Sequence, residues 1–126
     1  MCGIAGIISS NKNIGSLLNK FNLGIHHRGP DSKGFYVDDK KGVGLTMTRL
    51  SIIGINEGEQ PKYDFKKNII LVFNGEIYNY KSLAQQYFPG EKIFSDTDII
   101  LKLYLKFGKN FINKMNGMFC FAIIDK

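Results

Sequence analysis

Two stretches of the chain, IILVF at 69–73 and MFCFAII at 118–124, are apolar without interruption. A strand with one wet face alternates apolar and polar residues, so runs like these predict strands covered on both faces. The segments around them read in the order β, α, ββ, β, α, α, β, which is too irregular for a doubly wound parallel sheet. Outside that class, double coverage asks for a second sheet on one side and helices on the other. The expected class is therefore α+β, a four-layer αββα sandwich of antiparallel sheets, formed by one domain over residues 1–126.

The rest of the chain supplies the parts. CGIAGIIS at 2–9 reads as a first strand that is apolar on both faces. Ile14, Leu17, Leu18, Phe21 and Ile25 recur at helical spacing, with Asn13 as a candidate cap. HHRGPDS breaks that helix, and two short strands, GFYVDD and GVGLTMTR, follow. LSIIG leads into a loop over INEGEQPKYDFKKN, where Gly58 and Pro61 argue against regular structure. After IILVFN the GEIYN segment is expected to turn the chain into a helix over YKSLAQQYF. A last helix opens at Ser95, which with Asp98 matches a capping box, and GMFCFAIID closes the chain as a strand. An apolar strand two residues from the end would be an unprotected edge, so the chain is expected to be the N-terminal part of a longer protein.

Composition excludes more than it proposes. With 44% hydrophobic and 22% charged residues, the 126-residue chain is an ordinary folded domain, without a membrane-length apolar run or a signal-peptide pattern. No membrane association and a cytoplasmic location are expected. Cys2 and Cys120 are expected to stay thiols, and with only His26 and His27 beside them no metal site is expected. The net charge of +6 comes from scattered lysines, so no nucleic-acid partner is expected. Of 17 basic residues only Arg28 and Arg49 are arginine. Arginine offers a rigid fork that grips a carboxylate or anchors a buried ion pair, which lysine cannot do as well.

Cys2 stands directly behind the initiator Met. It could be a small core residue. If Met1 is trimmed, however, Cys2 carries a thiol and an α-amine, with ordinary pKa values of about 8.5 and about 7.7 to 8.0. The amine can then take the thiol's proton, making one residue nucleophile and base. Other polar groups sit at expected strand ends and turns. Asn74 and Gly75 could donate to an oxyanion or form a plain Asn-Gly turn. Arg49 could hold a substrate carboxylate or a surface ion pair. Asp96 could meet an ammonium or simply favour a helix N-terminus. Together they would suit a free amino acid with a side-chain amide.

Seven ordered motifs carry a resemblance: MCGIAG at 1–6, HRGPD at 27–31, RLSI at 49–52, QP at 60–61, NGEIYN at 74–79, SDTDIIL at 95–101 and GMFCFAIID at 117–125. The chain resembles the glutaminase domain of class II glutamine amidotransferases, most closely that of glutamine-dependent asparagine synthetases. The resemblance implies the N-terminal nucleophile fold and hydrolysis of glutamine to glutamate and ammonia through a Cys2 thioester. It implies Cys2, Asn74 and Gly75 as catalytic residues. It also implies that glutamine contacts Arg49, Leu50, Ser51, Ile52, Ile53, Asn74, Gly75, Glu76 and Asp96.

No cofactor is implied for that reaction. ATP and magnesium belong to a C-terminal synthetase domain, the expected partner, which would make asparagine from aspartate; a homodimer is also compatible with the resemblance. A related enzyme with another ammonia acceptor, or a non-catalytic glutamine-binding module, is the alternative. Arg28 reads as a brace near the site. The sequence departs from the family at His26, usually Arg, and at Cys120, usually Ala and here expected to be a buried small residue without a catalytic tie to Cys2.

Overall fold

The computed structural model describes residues 2–10, 13–50 and 59–126. Its elements are β1 (Gly3–Ile8), α1 (Ile14–Ile25), β2 (Ser32–Asp38), β3 (Val43–Arg49), β4 (Lys62–Tyr63), β5 (Ile69–Ile77), α2 (Tyr80–Tyr87), α3 (Asp96–Phe107) and β6 (Gly117–Asp125), with 3-10 turns at 26–28 and 108–114. The protein is α+β. Its strands form two antiparallel three-stranded sheets, ordered β1-β3-β2 and β4-β5-β6. No helix among the described residues is long and apolar enough to cross a membrane.

Helix α1 spans the residues its periodicity predicts and buries Ile14 and Leu18. Asn13 stands at the expected N-cap position, but its side chain makes no capping hydrogen bond. The Ile14 N–H is taken instead by Asp39 Oδ1 at 3.2 Å, from the turn between β2 and β3. The helix face is also less apolar than expected, because Asn22 is buried against β3. Its amide donates to Thr46 Oγ1 at 2.8 Å and to the Met47 carbonyl at 3.1 Å. A buried amide needs such partners, since leaving one unsatisfied costs about 1–3 kcal/mol.

The opposite side of β3 presents Leu45 and Met47, which cluster with Ile70 and Val72 of β5. The other face of β5 turns Ile69, Leu71 and Phe73 into a second cluster with Ile99, Ile100 and Leu103 of α3, Leu83 of α2 and Phe111. IILVF is thus buried on both faces, as its composition requires.

Four expectations fail in informative ways. The long loop before β5 contains β4, two residues paired with Leu71 and Ile70. Strand β5 does not turn at Asn74; it runs through Gly75 and Glu76 to Ile77, paired with β6 throughout. Strand β6 is not covered along its whole length, because Met118 (58% exposed) and Cys120 reach solvent. Cys120 is therefore an exposed thiol and not a buried small residue. Strand β1, at the edge of its sheet, leaves Ile8 87% exposed. In both apolar strands the covering layer is shorter than the strand.

Candidate active site

The two sheets each contribute half of the site. Cys2 precedes β1, is half-buried, and packs on the cluster of Leu45, Met47, Ile70 and Val72 between the sheets. Its carbonyl accepts a 3.0 Å hydrogen bond from Arg28 Nε. Arg28 thereby braces the chain start from the turn that follows α1, the role expected of it. The same turn continues onto β3, where the Asp31 N–H donates to the Arg49 carbonyl at 3.1 Å and Pro30 bridges to Arg49. Arg49 ends β3 and is 8% exposed, so it is not a surface residue. Leu50 follows, half-buried; Ser51, Ile52 and Ile53 lie outside the described residues.

Strand β5 supplies the other half. Asn74 lies on the same face of β5 as Ile70 and Val72, the side on which Cys2 packs. Among the described residues no hydrogen bond engages its side-chain amide. Gly75 follows with φ +147°, and a Cβ placed there would fall 2.2 Å from the Met118 carbonyl oxygen. Only glycine fits that close approach.

The pairing pattern decides where its N–H points. Even-numbered residues bond toward β6, as the Tyr78 N–H to Asn116 O and Lys126 N–H to Asn68 O bonds show; odd-numbered residues face the other edge. On that edge Ile69 donates to Asp64 Oδ1 at 2.8 Å, Phe73 to Gln60 Oε1 at 2.6 Å and Ile77 to Asp96 Oδ2 at 3.3 Å. Toward Gly75, β4 reaches no further than its first residue, Lys62, and among the described residues Gly75 keeps its N–H on the open edge.

Asp96 is the first residue of α3, whose N-cap is Ser95; the Ser95 hydroxyl accepts from the Asp98 N–H at 3.2 Å. The reciprocal half of the expected box differs, since the Asp98 carboxylate accepts from the Phe94 N–H and pairs with Lys62 at 2.7 Å. Burial pushes the Asp96 carboxyl above its ordinary pKa, and the nearby Glu76 charge acts in the same direction. The Ile77 and Thr97 amides oppose both.

Asn74, Gly75, Glu76 and Asp96 are thus gathered on β5 and the start of α3, while Cys2, Arg28 and Arg49 are gathered on the first sheet. Cys120 is the β6 partner of Asn74. A cleft of about 430 Å³ bounded by Asp64, Ile69, Tyr104 and Asp125 lies at the opposite end of β5. Among the described residues no cluster of His, Cys, Asp or Glu could hold a metal ion.

Cys2, Asn74, Gly75 and Asp96 each stand in one of the motifs that carry the sequence resemblance. The model of the glutamine amidotransferase domain family matches residues 1–126. The chain belongs to that family. Relatives of this amidotransferase domain include asparagine synthetase 2 (glutamine-hydrolysing) of Bacillus subtilis, 39% identical over 100% of this chain and 17% of its own. Asparagine synthetase B (glutamine-hydrolysing) of Escherichia coli is 37% identical over 99% of this chain and 23% of its own. The nodule asparagine synthetase (glutamine-hydrolysing) of Pisum sativum is 35% identical over 99% and 22%. The amidotransferase domain described here therefore spans about a quarter or less of the length of these curated relatives.

Gln60 escaped the reading of the site from sequence beyond its place in the QP motif. Its side chain takes the Phe73 N–H because its main-chain carbonyl is turned toward Gly34 of β2, an arrangement that no sequence signal announces.

Proposed function

We propose that this chain, residues 1–126, is a glutaminase domain that hydrolyses glutamine to glutamate and ammonia. The observation that carries the reading is the open-edge N–H of Gly75 beside the Asn74 amide, on the strand against which Cys2 packs. In this reading Met1 is removed and the Cys2 α-amine accepts the thiol proton. The sulfur attacks the side-chain amide carbon of glutamine, and the tetrahedral oxyanion is held by Asn74 Nδ2 and Gly75 N–H. Collapse breaks the C–N bond as the protonated amine donates to departing ammonia. Water then hydrolyses the thioester, releasing glutamate and restoring the thiol.

Arg49, with Leu50 to Ile53, holds the α-carboxylate and Asp96 the α-ammonium; Glu76 lines the same edge. The reaction needs no cofactor. The fold is read as the αββα sandwich of N-terminal nucleophile enzymes, supported by α2 and α3 packed on one face of β5, the sheet-to-sheet cluster on its other face, and α1 packed on the far face of β3. The asparagine synthetase names of the relatives, and the small share of their length that this chain spans, support a place in a longer protein. Its synthetase domain would use ATP, magnesium and the ammonia to convert aspartate to asparagine.

The test is Cys2→Ala in the intact protein. Ammonia release from glutamine should vanish while synthesis from added ammonia persists, and mass spectrometry of active wild type should place the N-terminus at Cys2. Glutaminase activity within a few-fold of wild type in the variant would defeat the assignment.

A further inference from the structure

We infer that Gln60 is a positioning residue for the Asn74–Gly75 donor pair, an inference that rests on the glutaminase reading. Register pairs Lys62 with Leu71 and Tyr63 with Ile70, so continuing the ladder sets Gln60 opposite Phe73. In a regular ladder the Gln60 main-chain carbonyl would accept from the Phe73 N–H, but it does not. The Phe73 N–H is nonetheless bonded, by the side-chain oxygen of Gln60 at 2.6 Å. The main-chain carbonyl of Gln60 is turned elsewhere. It lies against β2, so close that a Cβ on Gly34 would stand 1.8 Å from it.

One residue thus touches both halves of the site. Its backbone is wedged on the sheet that carries Cys2 and Arg49, and its side chain grips the residue immediately before Asn74. Among the described residues this edge of β5 has no strand beyond β4 to hold it, so the depth at which Asn74 and Gly75 stand relative to Cys2 is set locally by this bond. Gln60 never touches the reacting atoms in this scheme. Its contribution is geometric, and geometry at an oxyanion site matters most as negative charge develops on the substrate.

The substitutions follow from the bond. Gln60→Met keeps the length and bulk but removes the acceptor, whereas Gln60→Glu keeps an oxygen at the same reach. In the intact protein Gln60→Met should lower kcat for glutamine hydrolysis about tenfold to a hundredfold, the range expected for a misplacement of roughly 1 Å. KM should change by less than about threefold, because ground-state binding is not the interaction lost. Gln60→Glu should recover most of kcat. A purely structural role would lower the thermal midpoint of both variants and leave kcat per folded molecule unchanged.

Hydrogen exchange supplies a readout that does not depend on activity: the Phe73 amide should be protected in wild type and in Gln60→Glu and exposed in Gln60→Met. Unchanged Phe73 protection in the Met variant, a kcat within twofold of wild type, or an equal loss in the Glu variant would each overturn the inference. A wild-type protein that releases no ammonia from glutamine would instead overturn the glutaminase reading, with the exchange result still deciding whether Gln60 holds the strand.

Discussion

Replacing Gly75 by Ala tests how the strand that carries the site is built. The new methyl group would meet the Met118 carbonyl oxygen at 2.2 Å and Phe119 Cα at 2.6 Å, on a backbone with φ +147°. Reaching ordinary contact requires β5 and β6 to part locally by about 1 Å. The backbone conformation costs a non-glycine residue about 1–3 kcal/mol, and overpacking against β6 adds about 1–3 kcal/mol. The combined loss of about 2–6 kcal/mol is a large part of the roughly 5–15 kcal/mol that stabilises a domain. With a urea dependence of about 1–3 kcal/mol per molar, the midpoint should fall by about 1 M or more.

Turnover should fall further than the folded fraction alone explains, by about a hundredfold per folded molecule, because the donor pair is displaced by about 1 Å. Gly15→Ala is the matched control, since it lies in α1 with no atom within 4 Å of the new Cβ. That variant should gain up to about 1 kcal/mol from helix propensity. Urea unfolding and glutamate formation would be measured on both. A Gly75→Ala protein with an unchanged midpoint and unchanged turnover would refute the close-contact reasoning.

Arg49→Lys keeps the charge and loses the fork; it should weaken apparent affinity for glutamine about tenfold, in line with a charge-assisted bond of about 1.5–3 kcal/mol. Asn74→Ala should instead lower turnover about a hundredfold with a smaller change in half-saturation. Glutamate formation against glutamine concentration separates the two. Asp96→Asn should raise half-saturation while stabilising the fold near neutral pH. Burial has raised the folded-state pKa of Asp96 above 3.8, so wild type loses stability as pH rises from about 3.8 through that folded value, and the variant does not. Thermal midpoints of the two proteins should converge in acid and separate toward pH 7; parallel curves would refute the sign.

What the sequence makes legible here is local. The span of α1, the Ser95 cap and the doubly buried IILVF segment follow from periodicity and short-range hydrogen bonding. Three misreadings share a cause in distant neighbours. Asn13 fits a cap by its type, but the group that reaches the helix start is Asp39, 25 residues away. Asn-Gly at 74–75 has the composition of a turn, and only the presence of β6 keeps those residues extended. Cys120 and Met118 belong to an apolar run, yet whether they are covered depends on where the facing sheet stops. The candidate site residues were proposed from motifs, because each motif places polar groups at a strand end or turn whatever its exact geometry. Gln60 was not, because its contribution appears only once β4 and β5 are in register.

The open edge also explains why the proposed donors belong on β5. A central strand with a full neighbour on each side spends every amide on the ladder and has none to offer a substrate. Strand β5 is fully paired with β6 on one side, which fixes it, and paired with only two residues of β4 on the other. Along the remaining edge, bare amides would cost stability and invite another strand. Gln60 and Asp96 occupy the N–H groups of Phe73 and Ile77 on either side. Gly75 stands between them as the amide left available, at the residue where the absence of a side chain lets a ligand approach the backbone. Among the described residues, rigidity from β6 and selective satisfaction by two side chains thus reduce an exposed strand edge to a single directed donor, beside the amide of Asn74.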